Sequence, residues 1–355
     1  MSSAGYLKFF ERFDGEAPHF DGRAIYAISD LHVDSKVNRD WVNSLPAQDH
    51  LEDALIVAGD VATNLEVLES TLVALLEKFG AVWFCPGNHE LWCTPDKKGQ
   101  SHSIEKFFAI LQLCRKLGVR TEPGTVGTSA AIVPMYSWYK PVSADIPKVV
   151  KYFDRSCRWT KGVGNPEDPQ DSLYPGISEF FAQLNEKRLE LDYENRHIIS
   201  FTHFVPHLEL FYGRRDLVHV MGCDLIGKQV QQMQKQTNQQ THIFGHSHMN
   251  VDTTKNGIRF VQHAVGNATD YFAAEARSFG PKTFVTLIGY IPYNFGKVLG
   301  AIGMQHKKIH GMHQMMFGMV PELSDVLTQP YPCYIKRYAD VKVSNVCVNV
   351  HNKLM

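Results

Sequence analysis

Five short β-rich runs in the first 250 residues each stop at, or just before, a side chain able to bind a metal ion. The runs AIYAIS, ALIVAG, AVWFCP, HIISFT and HIFG lead into Asp30, Asp60, Asn88, His203 and His246. Helical patterns alternate with these runs, which indicates an α/β architecture. Because α/β sheets carry their chemistry at the carboxyl ends of strands, we expect these side chains to meet at one edge.

The composition limits the classes of protein that fit. The 36 basic and 37 acidic side chains give a net charge of -1, so neither nucleic acid nor an anionic membrane is indicated as a partner. Seven cysteines without a C-x-x-C pair argue against a disulfide framework. With no signal-like or membrane-spanning run, a cytoplasmic protein is expected, and its oligomeric state is left open.

In order, the strand ends read SDLHVD, AGDVA, PGNHE, FTHF and FGHSH. His246 and His248 are two residues apart, so they share a face if the strand geometry continues. We predict that Gly59, Gly87 and Gly245 allow backbone angles or close approaches that a Cβ would prevent. A single G-D pair or a lone histidine is weak evidence, whereas the complete ordered set is strong.

This ordered set resembles that of the calcineurin-like metallophosphoesterases, D-x-H, GD, GNH[E/D], H and GHxH, over roughly residues 20–270. The resemblance implies a four-layer αββα sandwich of two mixed β-sheets flanked by helices. We expect this domain to span 20–275. An irregular, aromatic-rich stretch at 138–175 is predicted to be a lid-like insertion within it. The segment 276–355 is predicted to be a C-terminal extension of unknown role.

The resemblance also implies two divalent metal ions, with Mn²⁺, Fe²⁺/Fe³⁺ or Zn²⁺ as the best candidates. Mixed carboxylate, amide and imidazole ligands suit such ions. The implied ligands of the first ion are Asp30, His32 and His248, those of the second are Asn88, His203 and His246, and Asp60 bridges the two.

The implied activity is dinuclear-metal-dependent hydrolysis of phosphomonoesters or phosphodiesters by direct attack of a metal-bridging hydroxide. Asp60 and His89 are the predicted catalytic residues, and His89 would donate a proton to the leaving oxygen, oriented by Glu90. Asn64 and Asn88 are predicted substrate contacts, although Asn64 equally fits a helix cap. The substrate is a phosphoester, and a nucleotide is one candidate.

Other patterns separate this chain from related classes. Phosphoprotein phosphatases carry GDYVDRG and RGNHE, whereas this chain has GDVATN and PGNHE, so that activity is not expected. Aromatic residues of the insertion either pack or stack on a nucleobase, and basic residues there are candidate phosphate contacts. The aromatic residues are Trp138, Tyr139, Tyr152, Phe153 and Trp159, and the basic ones are Arg155, Arg158 and Lys161.

Two alternatives compete with the enzyme. A catalytically silent scaffold of the same fold would bind a protein partner, but such scaffolds usually lose ligands and this chain lacks none. A metallopeptidase has little support, because the chain contains no H-E-x-x-H.

Overall fold

The computed structural model describes most of the first 267 residues and one later strand. It covers residues 17–93, 102–140, 142–143, 153–159, 176–193, 196–237 and 239–267, with the backbone of 285–289. Much of the predicted insertion, including Tyr152 and Lys161, and most of 276–355 lie outside the described residues. By internal contacts the chain divides into Met1–Tyr290 and Ile291–Met355, and every described residue belongs to the first unit. The domain boundaries stay predictions.

The described residues contain eleven strands. They are β1 (His19–Phe20), β2 (Ala24–Ile28), β3 (His50–Ala58), β4 (Phe79–Cys85), β5 (Gly124–Val126), β6 (Ala130–Pro134), β7 (His197–Phe201), β8 (Gln240–Phe244), β9 (Val251–Lys255), β10 (Ile258–Gln262) and β11 (Val285–Gly289).

Seven α-helices lie between these strands in the same part of the chain. They are α1 (Lys36–Ser44), α2 (Leu65–Leu76), α3 (Asn88–Leu91), α4 (Ser103–Leu117), α5 (Ile177–Leu184), α6 (Glu186–Leu189) and α7 (Asp224–Met233). In α2, Leu68, Leu72 and Leu75 are buried, because a spacing of three or four residues keeps them on one face. None of the described helices is both long enough and apolar enough to span a lipid bilayer.

The strands form two mixed sheets. One has four strands in the order β11-β2-β3-β4, in which β2, β3 and β4 are parallel and β11 is antiparallel to β2. The other has seven strands in the order β1-β5-β6-β7-β8-β10-β9, with β6, β7, β8 and β10 parallel. Strand β11 lies beyond residue 275, so the smaller sheet takes one strand from the segment predicted to be an extension.

The two sheets pack face to face, with helices on their outer faces. Along β3, Ala54, Ile56 and Ala58 face residues of the seven-stranded sheet, while Leu55 and Val57 belong to the cluster that includes the helices. This alternation follows from the two-residue period of a strand. The arrangement is the predicted sandwich of two mixed sheets flanked by helices.

Hydrogen bonds join the sheets at the carboxyl ends of their parallel strands. The amide of Ser29, after β2, donates to the carbonyl of His263, after β10, and the amide of Val265 donates back to Ser29. Beside this junction, the amide of Gly245 donates to the carbonyl of His203. The loops that follow β2, β3, β4, β7 and β8 therefore emerge close to one another.

Candidate metal centre

All seven predicted ligands lie at the junction of the two sheets. Each follows the carboxyl end of a parallel strand: Asp30 and His32 follow β2, Asp60 follows β3, Asn88 opens α3 after β4, His203 follows β7, and His246 and His248 follow β8. Five of them are less than 6% exposed, and His246 is 8% exposed. The site is thus a buried polar cluster assembled from distant parts of the sequence.

The ligand atoms fall into two neighbouring sets that meet at Asp60. In the first, the Nε2 atoms of His32 and His248 lie 3.0 Å apart, and the His248 Nε2 lies 3.4 Å from Asp30 Oδ1. Asp60 Oδ2 is 3.8 Å from the His32 Nε2. On its other side, the same oxygen is 3.4 Å from His203 Nε2.

The second set surrounds the side-chain oxygen of Asn88. This Oδ1 lies 3.0 Å from His203 Nε2 and 3.0 Å from His246 Nδ1. Two ring nitrogens from different strands therefore point at one amide oxygen, with the Asp60 carboxylate beside them.

These atoms fit metal ions. Three groups each bring three ligand atoms within 4.8 Å of one another: Asp30, His32 and His248; His32, Asp60 and His89; and Asp60, His203 and His246. The Nε2 atoms of His32 and His248 are in contact, so when both rings are neutral at most one of these two nitrogens carries a proton. The other nitrogen then offers a lone pair. Converging nitrogen and oxygen lone pairs are a donor set for borderline divalent ions.

Five of the seven residues have a left-handed backbone. The φ angles are 55° at Asp30, 42° at His32, 54° at Asp60, 71° at His246 and 54° at His248. Non-glycine residues seldom adopt this conformation, which costs on the order of 1–3 kcal/mol at each site where it is held. The sharp turns swing the side chains of successive strand ends towards one point.

The predicted need for glycine is met in two different ways. Gly59, just before Asp60, has φ 79°, which glycine adopts without a Cβ clash. Gly87 has φ -98°, but a Cβ on it would lie 2.2 Å from Asp60 Oδ1 and 2.8 Å from His203 Cγ. Gly87 is therefore required for close approach, which lets the loop after β4 reach the loop after β3.

Hydrogen bonds hold the two carboxylates in place. Asp30 Oδ2 accepts from the hydroxyl of Ser29 at 2.5 Å, and Asp30 Oδ1 accepts from the amide of His246 at 3.0 Å. Asp60 Oδ1 accepts from the amide of His89 at 3.0 Å, which leaves Oδ2 facing the histidine rings. Each carboxylate thus keeps at least part of its acceptor capacity for a cation.

The surroundings also set the charges of these carboxylates. Burial alone would raise the pKa of Asp60, but the His203 and His89 rings lower it well below its usual value. Burial likewise opposes the charge on Asp30, and His248 lowers its pKa to about 2. Both groups are anionic at neutral pH, as metal ligands must be.

The histidines divide into two kinds. Burial lowers the pKa of His32 to about 4 and that of His246 to about 3, so both rings are neutral at pH 7 and have lone pairs to offer. Burial acts in the same direction on His203, but the Asp60 carboxylate raises its pKa to about 9. A cation bound beside Asp60 would replace that proton.

His89 stands at the rim of the cluster. Its Nε2 lies 3.9 Å from Asp60 Oδ2, and its ring meets His32 edge to face with centroids 4.6 Å apart. The other side of the ring stacks on Trp92 at 3.8 Å. Its side chain is 23% exposed, so His89 reaches both the cluster and the open space above it.

Glu90 does not orient the His89 ring, contrary to the prediction. Its Oε2 accepts from the amides of Asp60 and Gly87 at 2.9 and 2.7 Å, and its Oε1 from those of Val61 and Ala62 at 2.7 and 2.9 Å. The carboxylate is fully buried. Glu90 therefore ties the loop of Asp60 to the loop of Asn88, a role that depends on packing between the two loops.

Asn64 is a helix cap. Its Oδ1 accepts from the amides of Glu66 and Val67 at the start of α2, at 2.8 and 3.3 Å. It is not among the residues that line the cavity over the cluster. The geometry thus supports the capping alternative and gives no support to the substrate contact predicted for Asn64.

A cavity of about 520 Å³ opens over the cluster. It is lined by Asp60, Asn88, His89, Trp92, Phe153, Asp154, Arg155, Ser156, His246, His248 and Asn267. Of the basic residues named from sequence, Arg155 is therefore at the cavity. Trp138 and Tyr139 are 1% exposed and belong to the core, so they are not available to stack on a nucleobase.

Sequence reasoning missed four of these lining residues: Trp92, Asp154, Ser156 and Asn267. Asp154 accepts hydrogen bonds from the side chains of Asn88 and Trp92. It lies in an irregular stretch without a hydrophobic period, so no local pattern distinguished it from a solvent-exposed acid. The only hint in the sequence was the position of Asp154 next to Phe153, one of the aromatic residues named above.

The comparisons with known proteins agree with this site. The profile of the family described as calcineurin-like phosphoesterase matches residues 24–250. The chain belongs to this family, whose members are metal-dependent phosphoesterases, as the ordered motifs predicted.

PptH of Mycobacterium tuberculosis matches the chain both by sequence and by structure. The chain is 36% identical over 121 residues to the [acyl-carrier-protein] phosphodiesterase PptH of Mycobacterium tuberculosis, a match that spans 32% of this chain and 37% of the relative. The crystal structure of the phosphopantetheinyl hydrolase PptH from the same organism aligns with a TM-score of 0.58 and 22% identity. That alignment covers 77% of this chain and 98% of the other. The structural likeness confirms the fold.

Proposed function

We propose that the chain is a phosphodiesterase that depends on two divalent metal ions. One observation carries the proposal: seven side chains, complete in type and order, form two adjoining sets that share Asp60. A silent scaffold has no reason to keep five strained backbones and both buried carboxylates.

The proposed ligands follow these two sets. The first ion would be held by Asp30, His32 and His248, the second by Asn88, His203 and His246, with Asp60 shared. Mn²⁺, Fe²⁺/Fe³⁺ and Zn²⁺ suit these nitrogen and oxygen donors. When bound, two such ions supply an acidified water as nucleophile and neutralise charge on the phosphoryl oxygens.

The protein's own groups would orient the ester and move a proton. His89 lines the cavity and lies 3.9 Å from Asp60, close enough to give a proton to the leaving oxygen of an ester placed over the cluster. Arg155 lines the same cavity and would pair with a phosphoryl oxygen. Phe153 and Trp92 add apolar walls that exclude water from one side.

The curated relative supports a diester as substrate. Its name describes an acyl-carrier-protein phosphodiesterase, and the aligned structure is that of a phosphopantetheinyl hydrolase. We propose a phosphopantetheinyl ester on a carrier protein as the first natural substrate to test. Hydrolysis would add one water across a P–O bond and give an alcohol and a phosphomonoester.

Activity on model esters tests the proposal. Chelator-treated protein, reloaded with Mn²⁺, should hydrolyse bis(p-nitrophenyl) phosphate faster than p-nitrophenyl phosphate. Asp60→Asn should lower kcat by at least about 100-fold, because it removes the charge shared by both sets. The matched control is Asp53→Asn, a buried aspartate that pairs with His50 at the amino end of β3.

Three outcomes would contradict the proposal. They are no turnover of either ester with any of the three metals, turnover that survives chelation, or equal losses in Asp60→Asn and Asp53→Asn. Incubation with a phosphopantetheinylated carrier protein, followed by mass spectrometry of the carrier, then tests the natural substrate separately.

A further inference from the structure

Asp154 contacts the candidate site from the segment predicted to be a lid. Its Oδ1 accepts from Asn88 Nδ2 at 2.8 Å and from Trp92 Nε1 at 2.6 Å. The turn that carries it is fixed to the chain after α3, because the amide of Cys93 donates to the carbonyl of Ser156 at 2.9 Å. One carboxylate oxygen thus meets a candidate ligand and a wall of the cavity.

Asp154 has features that a plain structural anchor lacks. It is 8% exposed and has φ 49°, a conformation that non-glycine residues seldom adopt. Its second oxygen, Oδ2, is buried and accepts no hydrogen bond within the described part of the chain. Such exceptions need a reason, and in native proteins they concentrate at functional sites.

The first contact fixes which way the Asn88 amide faces. The two ends of an amide have nearly the same shape, so only hydrogen bonds decide whether oxygen or nitrogen points to a given place. Because Nδ2 donates to Asp154, Oδ1 must face His203 and His246, where it lies 3.0 Å from each. The carboxylate also draws positive charge towards Nδ2, which makes Oδ1 a stronger donor to a cation.

The second contact reaches the proposed proton donor. Trp92 donates its indole N–H to Asp154 while its ring stacks on His89 with centroids 3.8 Å apart. The position of the His89 ring therefore depends on Trp92, and that of Trp92 depends on Asp154.

We propose that Asp154 is a positioning residue of the active site. It holds the Asn88 oxygen towards the second metal ion and, through Trp92, holds His89 over the reacting ester. This inference rests on the proposed two-ion site. It assigns to the irregular segment 153–156 a part in metal binding that no strand-end motif contains.

The direct test measures Mn²⁺ binding to chelator-stripped protein by titration calorimetry, a readout that needs no catalysis. We expect two ions in the wild type. In Asp154→Ala the first ion should bind as before, and the second should bind about 10–100-fold more weakly, the usual effect of removing a hydrogen-bond partner of a ligand. Asp154→Asn keeps an acceptor oxygen, so it should recover part of that loss.

Two further variants separate positioning from general damage. Asp53→Ala removes another buried aspartate and should lower the unfolding temperature without changing either Mn²⁺ affinity. Trp92→Phe removes the indole N–H donor and reduces the ring surface that stacks on His89, so the Mn²⁺ affinity of the second site should stay within about threefold while kcat falls. Unfolding temperatures of all variants, measured in chelator, identify any that fail to fold.

The outcomes distinguish this inference from the proposed function. If the wild type binds two ions and hydrolyses the diester, and Asp154→Ala binds both ions equally well, Asp154 has no positioning role. If Trp92→Phe weakened Mn²⁺ binding at the second site as much as Asp154→Ala does, the inference would also be overturned, because the hydrogen bond between Asn88 and Asp154 would then not explain the weaker binding. Fewer than two ions in the wild type would overturn both proposals.

Discussion

The hydrogen bonds of Glu90 allow one stability prediction to be worked through. Glu90→Gln keeps one oxygen and replaces the other with an NH₂ group, which faces two backbone amides that it cannot accept from. Leaving a buried donor without an acceptor costs about 1–3 kcal/mol, so two such donors cost about 2–6 kcal/mol.

An opposing effect reduces this loss. Burial raises the pKa of Glu90, and the nearby Asp60 raises it further, so the charged form is itself unfavourable. Glutamine removes that charge. Each of the two Glu90 oxygens accepts hydrogen bonds from two backbone amides, so a proton on either oxygen would face an N–H donor. We therefore expect the loss of acceptors to outweigh the removal of the buried charge. The net change should be a destabilisation on the order of 2 kcal/mol.

Urea unfolding of the metal-free protein at pH 7.5 measures this change. The control is Glu77→Gln, the same substitution at an exposed glutamate after α2, which should change the free energy of unfolding by no more than about 0.5 kcal/mol. If Glu90→Gln is as stable as the control, the four amide bonds do not hold the two loops together and the reasoning fails.

Two further predictions concern other parts of the chain. Arg155→Ala should raise KM for bis(p-nitrophenyl) phosphate about tenfold with a smaller change in kcat. Arg158 does not line the cavity, so Arg158→Ala should leave KM unchanged. Equal effects of the two substitutions on KM would refute the phosphate contact. Burial lowers the pKa of His242 from 6.5 to about 3. Below pH 6.5 the His242 ring therefore binds a proton in the unfolded chain but stays neutral in the folded protein. Between pH 7.5 and 5.0 the metal-free wild type should therefore lose about 2 kcal/mol more stability than His242→Gln in urea unfolding, and parallel losses would contradict this.

The strand-end rule explains how much of the site was predictable. Parallel strands have their carboxyl ends at the same edge of a sheet, so a polar residue directly after a buried run, such as Asp30 or Asp60, is expected at that edge. The hairpin of β9 and β10 also has a local sequence signal, the dipeptide Asn256-Gly257. These residues have φ 51° and 79°, as an Asn-Gly turn between two antiparallel strands requires.

The remaining features depend on contacts between distant segments. The sequence offered no period around Asp154, and the role of Glu90 exists only because two loops lie against each other. Trp138 and Tyr139 were grouped with the insertion by composition, but they lie only a few residues after the end of β6 and pack against core rings such as Phe204. Strand β11 joins its sheet across more than 250 residues from β2, beyond the reach of local patterns.

The position of the candidate site at the junction of the two sheets has a consequence for metal binding. Of the proposed ligands, Asp30, His32, Asp60 and Asn88 follow strands of the smaller sheet, and His203, His246 and His248 follow strands of the larger one, so neither sheet alone carries a complete ligand set. A chain that ends before residue 203 would carry four of the seven proposed ligands, so each of the two sets would be incomplete. Under the proposed two-ion assignment, metal uptake would therefore require both sheets to be folded against each other.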